Sequence, residues 1–525
     1  MRPTVVIADA IAESGVAALA EHCHVDVAVG VERSELKERI GEAAGLVVRS
    51  ATTVDRELIE AGSCLRVIGR AGIGVDNIDV AAATERGVLV VNTPTANTIS
   101  AAEHTMALLL SQARNIARGD QTLRSGLWDR HRFQGVELYG KTLGIVGLGR
   151  IGTLVAQRSA VFGMRVIAYD PYVTAERVQQ VGVEPVDWET LLGESDFITI
   201  HLPKTAETTG LFNKDTLARC KPGVRLVNTS RGGIIDEYAL VEAIRTGGVG
   251  GAALDVFEVE PLTDSPLFEL PQVVLTPHLG ASTTEAQDKT GQAVADAVLA
   301  ALRGELVATA VNLDVGPEVS DEVRGFLPLA ELLGRAFGGL SEGLSGRLLV
   351  GVHGRLAGHN LQSLKLAVLK GVLQEVTTGP VSYVNAPSLA SARGISVDIE
   401  SSEESDEYVS VIGLTGPDTD ESISLAGTVT NKGAILVEVL GYDIELPVSA
   451  NMLIVRNEDR PGVIGRVGTY LGDRGVNIAN MVVGRSSSTG ETAIMGLNLD
   501  QPLTVVDVDG LRLLDGIEQA QTLRL

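Results

Sequence analysis

The hexapeptide Gly147-Leu148-Gly149-Arg150-Ile151-Gly152 stands between an apolar run, TLGIV, and an amphipathic stretch, IGTLVAQRSAVFG. Few folds accept that order. A buried strand must turn sharply into a helix, and each glycine has a reason. Gly147 permits the tight turn, Gly149 lets a pyrophosphate approach the backbone, and Gly152 lets helix and strand pack closely. The free N–H groups of the helix N-terminus then face phosphate oxygens. Asp170 closes the next apolar run, about 20 residues on, where a carboxylate can accept hydrogen bonds from adenosine ribose hydroxyls. It would repel a 2′-phosphate, and Pro171-Tyr172-Val173 brings no compensating cation. NAD is therefore expected over NADP. A second glycine pair, Gly72-Ile73-Gly74, lacks a third glycine and reads as a backbone turn beside a cleft.

The fingerprint sits within a longer βα series. TLGIVG, RVIAYD, DFITIHLP, VRLVNTS, GAALDVF and VVLTPH are apolar runs with polar ends, as parallel strands buried on both faces require. An earlier series, TVVIADA, GLVVRS, LRVIGRAG and GVLVVNTP, has the same character. Residues 100–118 predict one long helix with Ser100 as N-cap and Glu103 in the capping-box position. Residues 284–303 predict a helix that returns the chain to the first series. The fold expected for the first 312 residues is α/β, two Rossmann-like doubly wound parallel sheets, one inserted into the other. Beyond Leu313 the texture changes. A helix is expected over 320–345, then shorter, more irregular strands, with the acidic segment 399–407 as a solvated loop. The last 75 residues read as a separate unit of βαββαβ order, with Pro461 as a first helical residue and Gly475 ending that helix.

At 525 residues the chain exceeds one core, at a rough prior of ~150 residues per domain. The formal net charge of −24 argues against a nucleic-acid surface, which needs clustered Lys and Arg. Aromatic residues at 3% disfavour stacking on single strands. No apolar run approaches the ~20 residues that cross a bilayer, and the start reads as a strand and not a signal peptide. Three widely spaced cysteines suggest neither a disulfide framework nor a metal knuckle, so no metal and a cytoplasmic location are expected.

In open α/β sheets ligands bind at the carboxyl ends of strands. His201, Ser230 with Arg231, Asp255 and His278 all fall there. Taking a hydride from an alcohol needs a base for the hydroxyl proton, a group that tunes the base, and a cation for a neighbouring carboxylate. His278 suits the base, Glu260 suits its partner, and Arg231 offers a planar fork. Spacing alone leaves open whether Glu260 and His278 touch.

LGIVGLGRIG, NTSRGGIIDEYAL, ALDVFEVEP and LTPHLGAST, in this order, resemble the successive signatures of the D-2-hydroxyacid dehydrogenases. The resemblance implies Arg231, Glu260 and His278 as catalytic. It implies cofactor contacts at Gly147, Gly149, Arg150, Ile151, Gly152 and Asp170. Others fall at Thr229, Ser230, Arg231, Asp255, His278, Leu279, Gly280 and Ala281, with backbone contacts at Ile73 and Leu202. Within the family, RAGIGVDNID, NTPTANTISAAEHT and the stretch from Trp128 resemble the long-form phosphoglycerate dehydrogenases. That implies D-3-phosphoglycerate as substrate, oxidised at the first step of L-serine biosynthesis. Its contacts would be Arg49, Ser50, Arg70, Asn97 and Arg130; Arg130 and Arg132 follow Trp128 and could reach in from the same or a neighbouring subunit.

VRNEDRPGVIGRVGTYLGDRGVNIANM resembles the ACT domain, which binds amino acids and pairs with its own copies. L-serine is the implied effector, at Asn457, Asp459 and Asn477, although Asn457 stands where that family often has an aromatic residue. Residues 313–450 resemble the intervening domain of the long forms, used there in assembly and in binding an anionic effector. The expected division is 1–97 with 281–312 for substrate, 98–280 for NAD, 313–450 intervening and 451–525 ACT-like. A homo-oligomer, a tetramer by resemblance, is expected, with no nucleic-acid or membrane partner. Two other readings stay open: a glyoxylate or hydroxypyruvate reductase, and a dinucleotide-sensing binding protein like the family's corepressors.

Overall fold

The computed structural model describes residues 2–313, 319–341, 346–405, 407–416, 423–485 and 492–524. Its first sheet is parallel, with strands β1 (Thr4–Ile7), β2 (His24–Val27), β3 (Gly45–Val48), β4 (Val67–Arg70) and β5 (Leu89–Val91) in the order β2-β1-β3-β4-β5. Strand β2 was not anticipated. HVDV is a half-exposed edge strand, so it carries no apolar run to read. The helix Thr284–Leu302 does return to this sheet, burying Val294, Ala295 and Val298 against Val5, Ile7 and Val47.

The second sheet contains β6 (Thr142–Val146), β7 (Arg165–Tyr169), β8 (Glu184–Pro185), β9 (Phe197–Ile200), β10 (Val224–Asn228), β11 (Val249–Leu254) and β12 (Val273–Leu275). Their order is β12-β11-β10-β9-β6-β7-β8. The order reverses at β6, which puts the glycine fingerprint at the topological switch point, where such sheets bind ligands.

The expected helix 100–118 runs instead from Thr98 to Arg114 and stops where Asn115 turns left-handed (φ 54°). Ser100 lies inside its first turn and not at the N-cap. Its hydroxyl is 2.8 Å from Thr283 Oγ1, so a tertiary contact takes the group that a capping box would use.

Residues beyond 318 depart further from expectation. The helix ends at Leu340, and residues 342–345 lie outside the described residues. Strands β13 (Gly346–Gly354), β14 (Ile395–Ser402), β15 (Ser410–Thr415), β16 (Ser424–Thr430), β17 (Gly433–Val439) and β18 (Tyr442–Pro447) form one regular sheet, ordered β14-β13-β15-β16-β17-β18. The helices Asp321–Leu340 and Gln362–Val376 bury their apolar residues with it in one core. The strands looked irregular because only one face is buried: β18 alternates buried and exposed residues throughout, so Asp, Glu and Pro interrupt the apolar signal. The first part of the acidic segment 399–407 is strand, since Ile399–Ser402 pair with β13; Asp406 lies outside the described residues.

The C-terminal sheet, β19 (Asn451–Glu458), β20 (Ile478–Arg485), β21 (Thr492–Leu499) and β22 (Ile517–Arg524), is antiparallel in the order β20-β21-β19-β22. With helices Val463–Asp473 and Val505–Arg512 it has the expected βαββαβ order. Pro461 precedes the helix and is not its first residue; Gly462, at φ 94°, occupies the N-cap. Nor is this unit separate. One face of its sheet, with Leu453, Val455, Met495 and Leu497, packs on its own helices. The other, with Met452, Ile454, Ile494 and Leu523, joins the core of the preceding six-stranded sheet.

Candidate active site

Gly147 adopts φ 90°, a conformation that L side chains rarely hold, and a Cβ there would strike the His201 carbonyl. A Cβ on Gly152 would strike the Gly147 carbonyl, so turn and helix are in backbone contact. The space beside Gly149, at the N-cap of the helix Arg150–Val161, is open, a cradle that a side chain would fill. Asp170 binds this turn directly: Oδ2 accepts from Leu148 N (2.8 Å) and Oδ1 from Tyr172 N (2.9 Å). The remaining lone pairs are free for ribose hydroxyls. These features fit the adenosine diphosphate half of NAD.

Three loops meet further along the crevice. Asn228, buried at the end of β10, accepts from Ser230 N (3.0 Å) and donates to the Arg231 carbonyl (2.8 Å), which fixes the turn carrying Arg231. That turn presses on the Glu260 loop, because a Cβ at Gly232 would overlap the Phe257 carbonyl. Glu260 Oε1 accepts from Phe257 N (2.9 Å), and Oε2 lies 2.6 Å from His278 Nδ1. Burial alone would push the Glu260 carboxyl up, but hydrogen bonds from His278 and Phe257 outweigh it and hold the group below its usual range. The contact that spacing left open is therefore made. Nε2 of His278 has no hydrogen bond among the described residues, and the residue's φ of 53° shows that its backbone is held in a sparsely used conformation.

Asp255, fully buried, accepts from Leu279 N (2.7 Å), Gly280 N (2.8 Å) and Thr276 Oγ1 (2.6 Å). Its side chain thus braces the loop that carries His278. Thr229 Oγ1 pairs with Thr105 Oγ1 at 2.7 Å. Leu202 packs over Gly147, and the Ile73 carbonyl accepts from Asn92 Nδ2 at 2.7 Å. His201 makes no bond to His278 or Glu260; it is bonded to Thr199 Oγ1 (3.0 Å), and burial pushes its pKa down to about 4.

On the other side of the crevice, Arg70 is pushed down to about 10 by burial and by the charges of Arg231 and Arg49. Three guanidinium groups share this region with two carboxylates, Asp76 and Asp9, and Arg70 Nε has no partner. Asn97 Oδ1 is likewise buried and unpartnered. Ser50 is exposed, on the turn after Arg49. Arg130 is not brought into this group: it is exposed in the short turn Arg130–Phe133, with no bond to Arg49, Arg70 or Arg231 among the described residues.

Sequence reading missed Asp76, whose Oδ2 accepts from Arg231 Nε (3.0 Å) and so steers the fork. It also missed Thr93, buried with an unpartnered Oγ1, and His104, which lies against Asp255. Asp76 and Arg231 are 155 residues apart, so no local pattern marks the pair.

In the C-terminal unit the three candidate effector residues do not form one cluster. Asn457 belongs to β19 and not to the loop after it; it is buried, its Nδ2 on the Glu458 carbonyl (2.7 Å) and Oδ1 unpartnered. Asp459 pairs with Arg485 (3.1 Å), and Asn477 donates to Asp500 (2.6 Å). The 730 Å³ cavity on the six-stranded sheet is lined by Glu404, Glu407, Glu438, Asp443 and Glu445, a setting that repels the anionic ligand expected for this region.

No helix among the described residues is long and apolar enough to cross a membrane. Three family models match the chain: the NAD-binding domain of D-isomer specific 2-hydroxyacid dehydrogenases over residues 106–280, the D-3-phosphoglycerate dehydrogenase intervening domain over 322–439, and the ACT domain over 451–507. The chain is 48% identical over 504 residues to a D-3-phosphoglycerate dehydrogenase of Mycobacterium leprae, covering 95% of each. It is 42% identical over 523 residues to that of Methanocaldococcus jannaschii, covering 99% of each. Among solved structures, an NAD-dependent formate dehydrogenase from Staphylococcus aureus in complex with NAD matches with TM-score 0.53 and 31% identity, covering 58% of this chain and 96% of that one. A glycine-rich switch point, a paired His278 and Glu260 and a matching sequence over nearly the full length agree: the chain belongs to the D-3-phosphoglycerate dehydrogenase family.

Proposed function

We propose that the chain oxidises D-3-phosphoglycerate with NAD to 3-phosphohydroxypyruvate, the entry to L-serine synthesis. The observation that carries this reading is that Arg231, on the turn packed against the Glu260 loop, meets the Gly72–Gly74 loop that Arg70 also lines, with Arg49 close enough to add its charge. A single carboxylate needs one arginine; a substrate with a phosphate at the other end accounts for the surplus. Gly147–Gly152 and Asp170 would hold NAD, which would supply the acceptor for the C2 hydride. His278 Nε2 takes the C2 hydroxyl proton as the carbonyl forms, and Glu260 stabilises the imidazolium. Arg231, held by Asp76, receives the C1 carboxylate and polarises the developing carbonyl. Arg49 and Arg70 take the phosphate.

In the same reading, residues 1–97 with 281–312 hold substrate, 98–280 hold NAD, 313–450 intervene and 451–525 regulate. L-serine is the effector: Asp459, at the turn after β19, and Asn477, just before β20 and completing the site between paired domains, each exchange their present partner for it. Self-assembly, as a homotetramer in this reading, is supported in its coarser part by the helix Ile116–Arg124, which buries none of its residues, and by the exposure of Ile116, Leu123, Leu127 and Trp128 on and after it. Arg130, exposed in the turn that follows, is in this reading supplied to the cleft of a partner subunit. A cytoplasmic setting accords with three free cysteines.

Steady-state NADH formation from 3-phosphoglycerate tests the assignment, with and without L-serine. Turnover of glyoxylate or hydroxypyruvate with NADH and none of 3-phosphoglycerate would overturn it. Equal serine inhibition of wild type, Asp459→Ala and Asn477→Ala would move the effector site elsewhere. Light scattering of wild type and Leu123→Arg reads the assembly.

A further inference from the structure

The helix Thr98–Arg114 joins the first sheet to the second, and three of its side chains grip separate loops of the crevice. Ser100 meets Thr283 (2.8 Å), Thr105 meets Thr229 (2.7 Å), and His104 Nε2 lies 3.1 Å from both Asp255 Oδ1 and Thr276 Oγ1. The first two are hydroxyl pairs. The third adds a titratable ring to a carboxylate that already holds the loop of the catalytic base.

The hydrogens at this junction can be assigned from its chemistry. Thr276 gives its hydroxyl proton to Asp255 Oδ1 (2.6 Å), and Leu279 N–H points to the same oxygen (2.7 Å). Gly280 N–H takes Oδ2 (2.8 Å). A ring nitrogen facing an ionised carboxylate must carry a proton, so His104 Nε2–H is the fourth donor. Burial would push the Asp255 carboxyl up, yet bonds from His104, Thr276 and Leu279 outweigh it and hold the group below its usual range. Losing a donor from a fully buried carboxylate leaves charge poorly compensated, and the nearby backbone must move to repair it. That backbone includes His278, whose own N–H is bonded to the Asp255 carbonyl (2.9 Å) and whose φ is 53°.

We propose that His104 is a positioning residue: acting through Asp255, it holds the Leu279–Gly280 backbone and thereby sets the place of His278 against the substrate. Its ring bonds to Asp255 and Thr276 and not to Glu260. Its leverage comes from geometry, since small displacements of a reacting group cost large factors in rate.

The kinetic test rests on the proposed reaction; a second readout does not. His104→Leu keeps side-chain bulk and removes the donor. It should lower kcat roughly tenfold or more while the KM for 3-phosphoglycerate changes far less, and a primary deuterium isotope effect on kcat should grow as hydride transfer becomes limiting. His104→Gln places an N–H near the position of Nε2, whereas His104→Asn reaches only as far as Nδ1. Gln should recover most of the rate and Asn should not. Amide exchange over 276–282 should quicken in the Leu and Asn variants and stay slow in Gln. If the Leu variant fails to fold, the Gln–Asn contrast decides. Wild-type kcat and isotope effect with unchanged exchange at Leu279 and Gly280 in a folded Leu or Asn variant would overturn the proposal. If wild type leaves 3-phosphoglycerate untouched, the functional reading fails, and amide exchange alone decides the role of His104.

Discussion

His278 Nδ1 lies 2.6 Å from Glu260 Oε2, and the other oxygen of Glu260 is tied to the Phe257 amide (2.9 Å). The carboxylate is thus anchored at one end and orients the ring with the other. His278→Ala should lower turnover by about 10² or more and leave NADH binding, read by fluorescence titration, nearly unchanged. Glu260→Gln should cost less and shift the alkaline pH profile of oxidation, because the imidazolium loses its anionic partner. Near-normal turnover by the Ala variant would remove His278 from the base role.

The same pair contributes to acid stability, with a definite sign. The Glu260 carboxyl is held below its ordinary pKa of 4.5 in the folded chain. A depressed carboxyl stabilises the fold above its unfolded pKa, and that contribution is lost as pH falls through the folded value. Thermal melts between pH 6 and about pH 3 should therefore show a smaller acid loss for Glu260→Gln than for wild type. Identical slopes would mean that the pair adds nothing to folding.

Arg70 has the opposite character. Burial and the charges of Arg231 and Arg49 bring it down to about 10, so its cation is poorly stabilised there. A base depressed on folding weakens the fold wherever it stays protonated, which includes neutral pH. An anion that fits between the three arginines relieves this strain. 3-Phosphoglycerate should raise Tm in wild type, by mass action on the folded state. Arg70→Met should melt no lower than wild type without ligand, lose that increase, and show a higher 3-phosphoglycerate KM with little change for NAD.

Much of this site was legible because the chemistry follows the strand ends. Each parallel strand of the second sheet except the two-residue β8 reads as one apolar run, and the next polar residue falls in the crevice by topology. Less was legible where a residue's role depends on a distant partner. Asp76 looks like an ordinary turn residue until Arg231 reaches it, and His104 looks like a helix residue until Asp255 does. Ser100 and Glu103 imitate a capping box, yet the helix starts two residues earlier because Ser100 is spent on Thr283. The regular sheet of β13–β18 was hidden for a third reason. Its single buried face leaves a period-two pattern that serine, threonine and carboxylates blur.

Asp170 spends one bond on Leu148 N in the fingerprint turn and another on Tyr172 N. Its replacement should therefore act twice. Asp170→Ala should raise the KM for NAD through the lost ribose contact and a looser turn, and narrow the preference over NADP through the lost repulsion. A wild type that already uses NADP equally well would refute the reading of this strand end.

The C-terminal unit offers a prediction about cooperativity. Its sheet buries Met452, Ile454, Ile494 and Leu523 in the core that also contains Leu348, Val350, Ile412 and Leu446. The joint is close. A Cβ at Gly484 would meet the Asp443 carbonyl, and one at Gly496 would meet Leu446. Asn498 donates to the Pro447 carbonyl at 2.9 Å, and Tyr442 shares a hydrogen bond with Thr492 at 2.5 Å. Two sheets that share a core cannot lose one without exposing the other's apolar face. Exchange of the amides of β15 and β21 in rising denaturant should therefore merge onto one unfolding isotherm. Ile454→Ala should cost ~2–5 kcal/mol, the range for deleting a large buried aliphatic side chain, and should lower that isotherm for both strands. Gly484→Val should do the same by pushing the sheets apart without touching either helix layer. If β21 opens at low denaturant while β15 stays protected, the two units are independent and the shared core contributes little.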